Sequence, residues 1–180
     1  EHRGQLLTED ELISTTIVLL NAGHEATVHQ IGNAVRSILE NGADPKVIFA
    51  DEKATERTVE ECLRISAPVH IFDRFALEDV ELDGIHFRRG DKVAMILAAA
   101  NLDPKKFTDP LAFKPDRNEG ANLSFGAGIH FCIGAPLARL ELNIALPILF
   151  QRLPGLRIAK EPVVKDVYHF HGLEALELAW

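Results

Sequence analysis

The chain has 180 residues, 47% hydrophobic and 26% charged, a composition that suits one folded core and gives no ground for disorder. Its net charge of −8 argues against general nucleic-acid binding, no apolar run approaches the roughly 18 residues a bilayer crossing needs, and the opening Glu-His-Arg-Gly does not read as a signal peptide. Two cysteines, Cys62 and Cys132, make no disulfide framework, and a reducing cytoplasm is the expected setting.

Thr8 and Glu11 stand at capping-box spacing, where each side chain satisfies the other's backbone donor. The stripe Ile13, Ile17, Leu20, His24, Val28 or Thr27, Ile31, Val35 and Ile38, at spacings of three and four, then predicts one long helix ending near Asn41-Gly42. Leu12 to His24 carries no charge, so the first half of that helix is expected to be buried on every side by other parts of the protein. Ala22 and Gly23, followed by Glu25, give the middle room to loosen into a groove. Taken alone, Glu25 reads as the point where the helix emerges into water.

Asp44-Pro45 caps a short helix, and a second is expected from Thr55 to Ser66, stopped before Pro68. Glu61 and Arg64 share one face of it, although an isolated pair at this spacing is common on surfaces and worth under about 1 kcal/mol. Cys62 is assigned to packing. Val69 to Phe72, Phe75 to Leu82, Ile85 to Phe87 and Val93 to Leu97 read as short strands, with turns at Asp83-Gly84 and Arg89-Gly90-Asp91. On their own, Val69, His70 and Ile71 are a buried strand and Arg74 a solvated charge. Ala98 to Leu123 loses periodicity and is rich in turn formers.

Phe125 to Gly134 follows as a small-residue loop in which Gly126 and Gly128 permit positive φ. It delivers Cys132 to a helix opened by Gly134-Ala135-Pro136 and continued by Leu137, Leu140 and Ile144. Backbone donors at a helix start suit a thiolate, the form in which cysteine binds metal. Pro147 removes a bond to Asn143 and predicts a kink. Beyond Pro154-Gly155, Leu156 to Ala159 and Val163 to Leu178 are expected as strands with a turn near Phe170-His171-Gly172, and His169 and His171 as solvated.

The loop Phe125-Gly126-Ala127-Gly128-Ile129-His130-Phe131-Cys132-Ile133-Gly134 fits the pattern Phe-Gly-x-Gly-x-His-x-Cys-x-Gly and resembles the cysteine-ligand loop of the cytochrome P450 haem-thiolate enzymes. The resemblance implies haem b as cofactor with Cys132 as axial iron ligand, a donor that favours O–O cleavage. It also implies that Phe125 and Gly126 lie beside the thiolate and His130 near a haem propionate. Ala22-Gly23-His24-Glu25-Ala26-Thr27 resembles the family's oxygen-binding stretch, usually Ala-Gly-x-Glu-Thr-Thr. Ala22 and Gly23 would then border the cofactor, Glu25 would relay protons and Thr27 would assist. Ala26 departs from the pattern and puts ordinary proton delivery in question.

By the same resemblance, Glu61 and Arg64 join Arg117, from Phe113-Lys114-Pro115-Asp116-Arg117, in a buried structural triad. Arg74 pairs with a propionate, Val69 and Ile71 border the substrate pocket, and Phe170 reaches it from the last turn. Leu102 stands where related bacterial sequences often carry arginine. Lys105, Lys106, Lys114 and Arg139 are either a solvated surface or a docking patch for an acidic electron donor.

The expected fold is mainly α with small β-sheets: residues 1–180 as the C-terminal haem-binding part of a single cytochrome P450 domain, cut before the distal helix, with the N-terminal part missing and Leu12 to Gly23 left exposed. The implied function is a soluble bacterial-type monooxygenase that inserts one oxygen atom into a small organic substrate, with electrons from a separate ferredoxin or flavodoxin. The alternatives are a haem-binding fragment without turnover and a cysteine-nucleophile enzyme built on Cys132 and His130. Neither nucleic acid nor membrane is an expected partner.

Overall fold

A computed structural model of the chain describes residues 6–180. Helix α1 (Glu9–Ala22) opens on the capping box: the Glu11 N–H donates to Thr8 Oγ1 at 3.3 Å and the Thr8 N–H donates to Glu11 Oε2 at 2.8 Å. The single long helix of the sequence pattern is instead two, α1 and α2 (Glu25–Glu40), broken at Gly23-His24. Gly23 is a weak helix former, and a Cβ at that position would sit 2.9 Å from the Leu19 carbonyl oxygen. His24, with φ −111° and ψ −63°, restarts the chain as the cap of α2.

Leu12 to Gly23 is left exposed, as expected of this stretch of chain by itself, and α1 buries no residue. Leu12 is 56% and Leu20 70% exposed, and among the described residues nothing covers them. Helix α2 behaves oppositely, burying His29, Gln30, Asn33, Ala34, Val35, Ser37 and Ile38.

A short α3 (Pro45–Ile48) is capped by Asp44. Helix α4 (Glu52–Ile65) starts three residues earlier than the expected Thr55, because the Asp51 side chain caps it by accepting from the Ala54 N–H at 2.7 Å. The core lies where α2 and α4 meet α6 (Ala135–Arg152), around Ile38, Val59, Leu63, Leu142, Leu146 and Phe150. Burying one such side chain stabilises the fold by about 1.5–3 kcal/mol. Cys62 is fully enclosed there, and burial first, then the Glu61 charge, pushes its thiol far above the ordinary range. It packs and does not react.

Four two-stranded antiparallel sheets flank the helices: β1 (Ile71–Phe75) with β4 (Lys92–Ile96), β2 (Val80–Leu82) with β3 (Ile85–Phe87), β5 (Arg157–Ile158) with β8 (Leu178–Ala179), and β6 (Val163–Val164) with β7 (Leu173–Ala175). The expected strand Phe75 to Leu82 is thus divided, and Val69 falls outside β1, making a lone antiparallel bridge to Phe170. Helix α5 (Leu97–Asn101) replaces the start of the stretch expected to be irregular, drawn into a turn by Ala98-Ala99-Ala100. Helix α6 admits Pro136 in its first turn and runs on through Pro147 to Arg152, leaving the Asn143 carbonyl without the proline's missing N–H.

Candidate functional site

The Cys132 loop is shaped by backbone. Gly126 and Gly128 adopt φ of 70° and 66°, a region that side chains resist, and residues 128–130 form one tight 3-10 turn. The Cys132 N–H donates to the Phe125 carbonyl at 2.9 Å, and the Ala135 N–H donates back to the Cys132 carbonyl at 3.2 Å. The Cys132 backbone is thereby fixed between the loop and the first turn of α6. Cys132 is half-buried, His130 is exposed, and the rim carries bare apolar side chains, with Ile129 96% and Ile133 88% exposed. Phe125 and Phe131 lie 6.5 Å apart between ring centroids.

Beneath the loop, Glu61, Arg64 and Arg117 come together. Arg64 donates through Nε and Nη2 to the two Glu61 oxygens at 2.7 and 2.8 Å, and Arg117 Nε donates to Glu61 Oε1 at 3.0 Å. All three side chains are nearly enclosed. Of their other donors, Arg64 Nη1 goes to the Asn101 and Pro110 carbonyls, Arg117 Nη2 to the Asp109 and Ala112 carbonyls, and Arg117 Nη1 to the Thr108 carbonyl and the Glu119 carboxylate. Enclosed charges are tolerable on these terms, with opposite charges paired and donors satisfied.

Sequence reasoning missed how this cluster reaches the loop. Asn101 Nδ2 donates to Ser124 Oγ at 2.9 Å, Ser124 Oγ donates to the Leu63 carbonyl at 2.6 Å, and the Leu123 N–H donates to Asn101 Oδ1 at 2.6 Å. A buried asparagine and serine therefore tie α4 and α5 to the residue preceding Phe125. The one available signal was a polar residue closing an alanine-rich run.

At the junction of α1 and α2, Ala22, Gly23 and Glu25 are exposed and Ala26 and Thr27 half-buried. His29 lies below them, enclosed, with Nε2 3.6 Å from Glu25 Oε1. A cavity of about 330 Å³ opens here between Leu20, Glu25, Val28, His29 and Lys165. Phe170 stands 6.0 Å from the His29 ring, and the neighbouring Gly172 is obligatory, since a Cβ there would meet His29 Nδ1 at 2.1 Å.

The Val69–Phe170 bridge belongs to a longer seam. The His70 N–H donates to the His169 carbonyl, the His171 N–H donates to the Pro68 carbonyl, and Asn33 Nδ2 donates to the His171 carbonyl. His171 is not solvated as expected: it is half-buried and stacks on His70, rings 4.5 Å apart and 14° from parallel, because the seam presses the two segments face to face. Burial holds both imidazoles below their ordinary value, and for His171 the neighbouring His70, Arg36 and His29 add to the effect. His169 is exposed.

Ile71 is half-buried and pairs with Ile96 in β1–β4. Arg74 donates to the Asp73 carbonyl and lies over Phe72, and it shares no hydrogen bond with His130 among the described residues. Of the four cations proposed for a docking patch, Lys114 pairs with Asp109 and Arg139 with Glu60, while Lys105 and Lys106 are exposed. Among the described residues no three His, Cys, Asp or Glu side chains gather as a metal site. Cys132 is therefore a single donor, which fits a metal that arrives with its other ligands already in place, as a porphyrin iron does. No described helix is long and apolar enough to cross a membrane.

The profile of the family described as Cytochrome P450 matches residues 51–164. Among curated relatives, the biotin biosynthesis cytochrome P450 of Bacillus subtilis (strain 168) is 40% identical over 97% of this chain and 44% of its own length. Cytochrome P450 109 of Bacillus spizizenii is 46% identical over 96% and 41%, and the monooxygenase PikC of Streptomyces venezuelae 41% identical over 98% and 44%. The chain thus spans about two fifths of the length of these relatives. In solved structures, P450BioI bound to an acyl carrier protein ligated to hexadec-9Z-enoic acid superposes with a TM-score of 0.92 at 40% identity, covering 99% of this chain and 47% of that one. PksS of Bacillus subtilis 168 gives 0.93 at 34% identity over 99% and 47%.

Proposed function

The chain belongs to the cytochrome P450 family, and on that premise we propose that it forms the distal-helix and cysteine-loop part of a haem-thiolate monooxygenase acting on a small organic substrate. Cys132 would hold the iron of haem b, with Phe125 and Gly126 packed beside the sulfur and Ala22 and Gly23 across the ring. His130 and Arg74 would take the propionates. The bound haem supplies dioxygen activation and single-electron chemistry that no side chain of this chain offers. Glu25, exposed at the head of α2, would pass protons inward with the Thr27 hydroxyl close by, and Val69, Ile71 and Phe170 would border the substrate. Electrons would come from a cytoplasmic ferredoxin or flavodoxin, approaching the face that carries Lys105 and Lys106.

The observation that carries this reading is Cys132 itself: one half-buried thiol at the mouth of a glycine-shaped loop, with no competing ligand cluster among the described residues. The test is the reduced, carbonyl-bound spectrum of the haem-loaded protein. Thiolate ligation gives a strongly red-shifted Soret band that Cys132→Ser abolishes. A wild type that takes up no haem, yet has a rapidly alkylated Cys132, would instead favour a cysteine nucleophile.

Ala26 supports a second reading, binding of haem without efficient turnover. It leaves the residue after Glu25 with no hydroxyl to steer a proton. Ala26→Thr is expected to raise product formed per reduced cofactor consumed by about twofold or more. An unchanged ratio would mean that substrate or water already fills that role.

A further inference from the structure

Glu60, Arg139 and Phe125 form a stack that the reading above leaves unused. Arg139 lies in the second turn of α6, its guanidinium carbon 4.6 Å from the centre of the Phe125 ring. It donates through Nε and Nη2 to the two Glu60 oxygens, and Asn122 Nδ2 donates to Glu60 Oε2 at 3.0 Å, so the carboxylate is gripped from two sides. Phe125 in turn accepts the Cys132 N–H. The ion pair is therefore joined to Cys132 through Phe125, whose ring faces Arg139 and whose carbonyl accepts the Cys132 N–H. Arg139 is held above its ordinary value by its hydrogen bonds to Glu60 first and, against a desolvation cost, by the charges of Glu60 and Cys132. With side chains 35% and 39% exposed, the two charges are screened by water but not erased.

We propose that Glu60 and Arg139 are positioning residues that set, across Phe125, the electrostatic potential at the Cys132 sulfur and so the ferric/ferrous balance of the bound haem. The inference rests on Cys132 being the iron ligand. The action of each on the iron is through charge and not through ligation. A cation beside the thiolate favours the form that has gained an electron, and an anion favours the form that has not. In the intact pair the two offset each other. Removing Arg139 leaves Glu60 alone and moves the balance towards ferric iron, whereas removing Glu60 leaves Arg139 alone and moves it towards ferrous. A purely structural pair behaves otherwise: either substitution breaks the same contact and loosens the same loop, so both move the balance one way.

The experiment is spectroelectrochemical titration of the full-length holoprotein, after its carbonyl-bound spectrum has established thiolate ligation in wild type. Arg139→Gln is expected to shift the ferric/ferrous equilibrium about threefold towards ferric, near 30 mV at 59 mV per tenfold for one electron, and Glu60→Gln about threefold towards ferrous. Arg139→Lys, which keeps the charge, should stay within about twofold of wild type. Shifts of the same sign, or no shift in either charge variant, overturn the proposal while leaving the ligand assignment intact. Should Arg139→Gln not retain haem, Glu60→Gln decides: a move towards ferrous supports the proposal, and no move or the opposite move overturns it. A wild type lacking the thiolate band defeats the ligand assignment first, a separate and visible failure.

Discussion

Helices α1 and α4 are each 14 residues long and each begins on a side-chain cap, Thr8 in one and Asp51 in the other, yet they have opposite fates. The apolar helix, carrying Leu12, Ile13, Ile17, Val18, Leu19 and Leu20, buries nothing, while α4 buries eight residues, Glu61 and Arg64 among them. Capping and propensity specify that a helix forms; they do not specify what surrounds it. Charge is enclosed in α4 because Glu61 and Arg64 pair within the helix and residues 101–117 bring further partners to Glu61 and to both terminal nitrogens of Arg64. Hydrocarbon is bare in α1 because the described residues bring it none.

The strongest way to break this contrast is to remove the carboxylate at the centre of α4. Glu61→Ala leaves the nearly enclosed Arg64 guanidinium without its counter-charge and Arg117 with Glu119 alone, and is expected to cost about 3–5 kcal/mol, read as a lower urea midpoint. Replacing Glu61 and Arg64 together by leucine should cost less than the two single losses summed, because no orphaned half of that pair remains. If Glu61→Ala costs under about 1 kcal/mol, the cluster is worth no more than a surface pair and the contrast loses its physical basis.

What the sequence disclosed divides along the same line. The Cys132 loop was legible because its glycines and its ligand are local: the positive φ values at 126 and 128 need no distant partner. The spacing of Glu61 and Arg64 was legible for the same reason. The break at Gly23 was not, because the apolar stripe continues across it, and one glycine costs a helix only about 1 kcal/mol. Packing on α1 could offset that amount, and the described residues supply none. The Asn101–Ser124 link and the His70–His171 stack were hidden for another reason. A polar contact between residues 23 or 101 positions apart leaves no periodic trace in the chain.

A smaller effect tests whether the seam between residues 68–70 and 169–171 belongs with the satisfied part of the molecule. His70 and His171 both titrate below their ordinary 6.5, chiefly through burial, so near and below pH 6.5 the unfolded chain binds more protons than the folded one. Their contribution is complete above that pH. It falls as pH drops through 6.5 towards the depressed folded values, where charging sets the stacked rings against each other and against Arg36 and His29. Hydrogen exchange at the His70 and His171 amides, corrected for intrinsic rates, should lose protection by about threefold or more between about pH 7.5 and pH 5.5. His171→Phe, which keeps a ring over His70 but cannot charge, should flatten most of that loss. Protection independent of pH would show that the stacked pair stays neutral or stays water-shielded throughout.

The smallest effect belongs to α1, and its smallness is what it tests. Ile17 is 54% exposed and touches no core, so Ile17→Ser in this 180-residue chain should change the unfolding free energy by no more than about 0.5 kcal/mol. Ile38→Ala, removing a fully enclosed side chain of α2, should cost about 2–5 kcal/mol by the same measurement. Solution behaviour should reverse the ranking. Ile17→Ser interrupts a contiguous apolar face and should reduce self-association in sedimentation velocity, whereas Ile38→Ala leaves that face unchanged. An Ile17→Ser penalty as large as that of Ile38→Ala, in a chain sedimenting as a monomer, would mean that α1 is packed within the chain after all. The difference between α1 and α4 would then lie in neither their caps nor their cover.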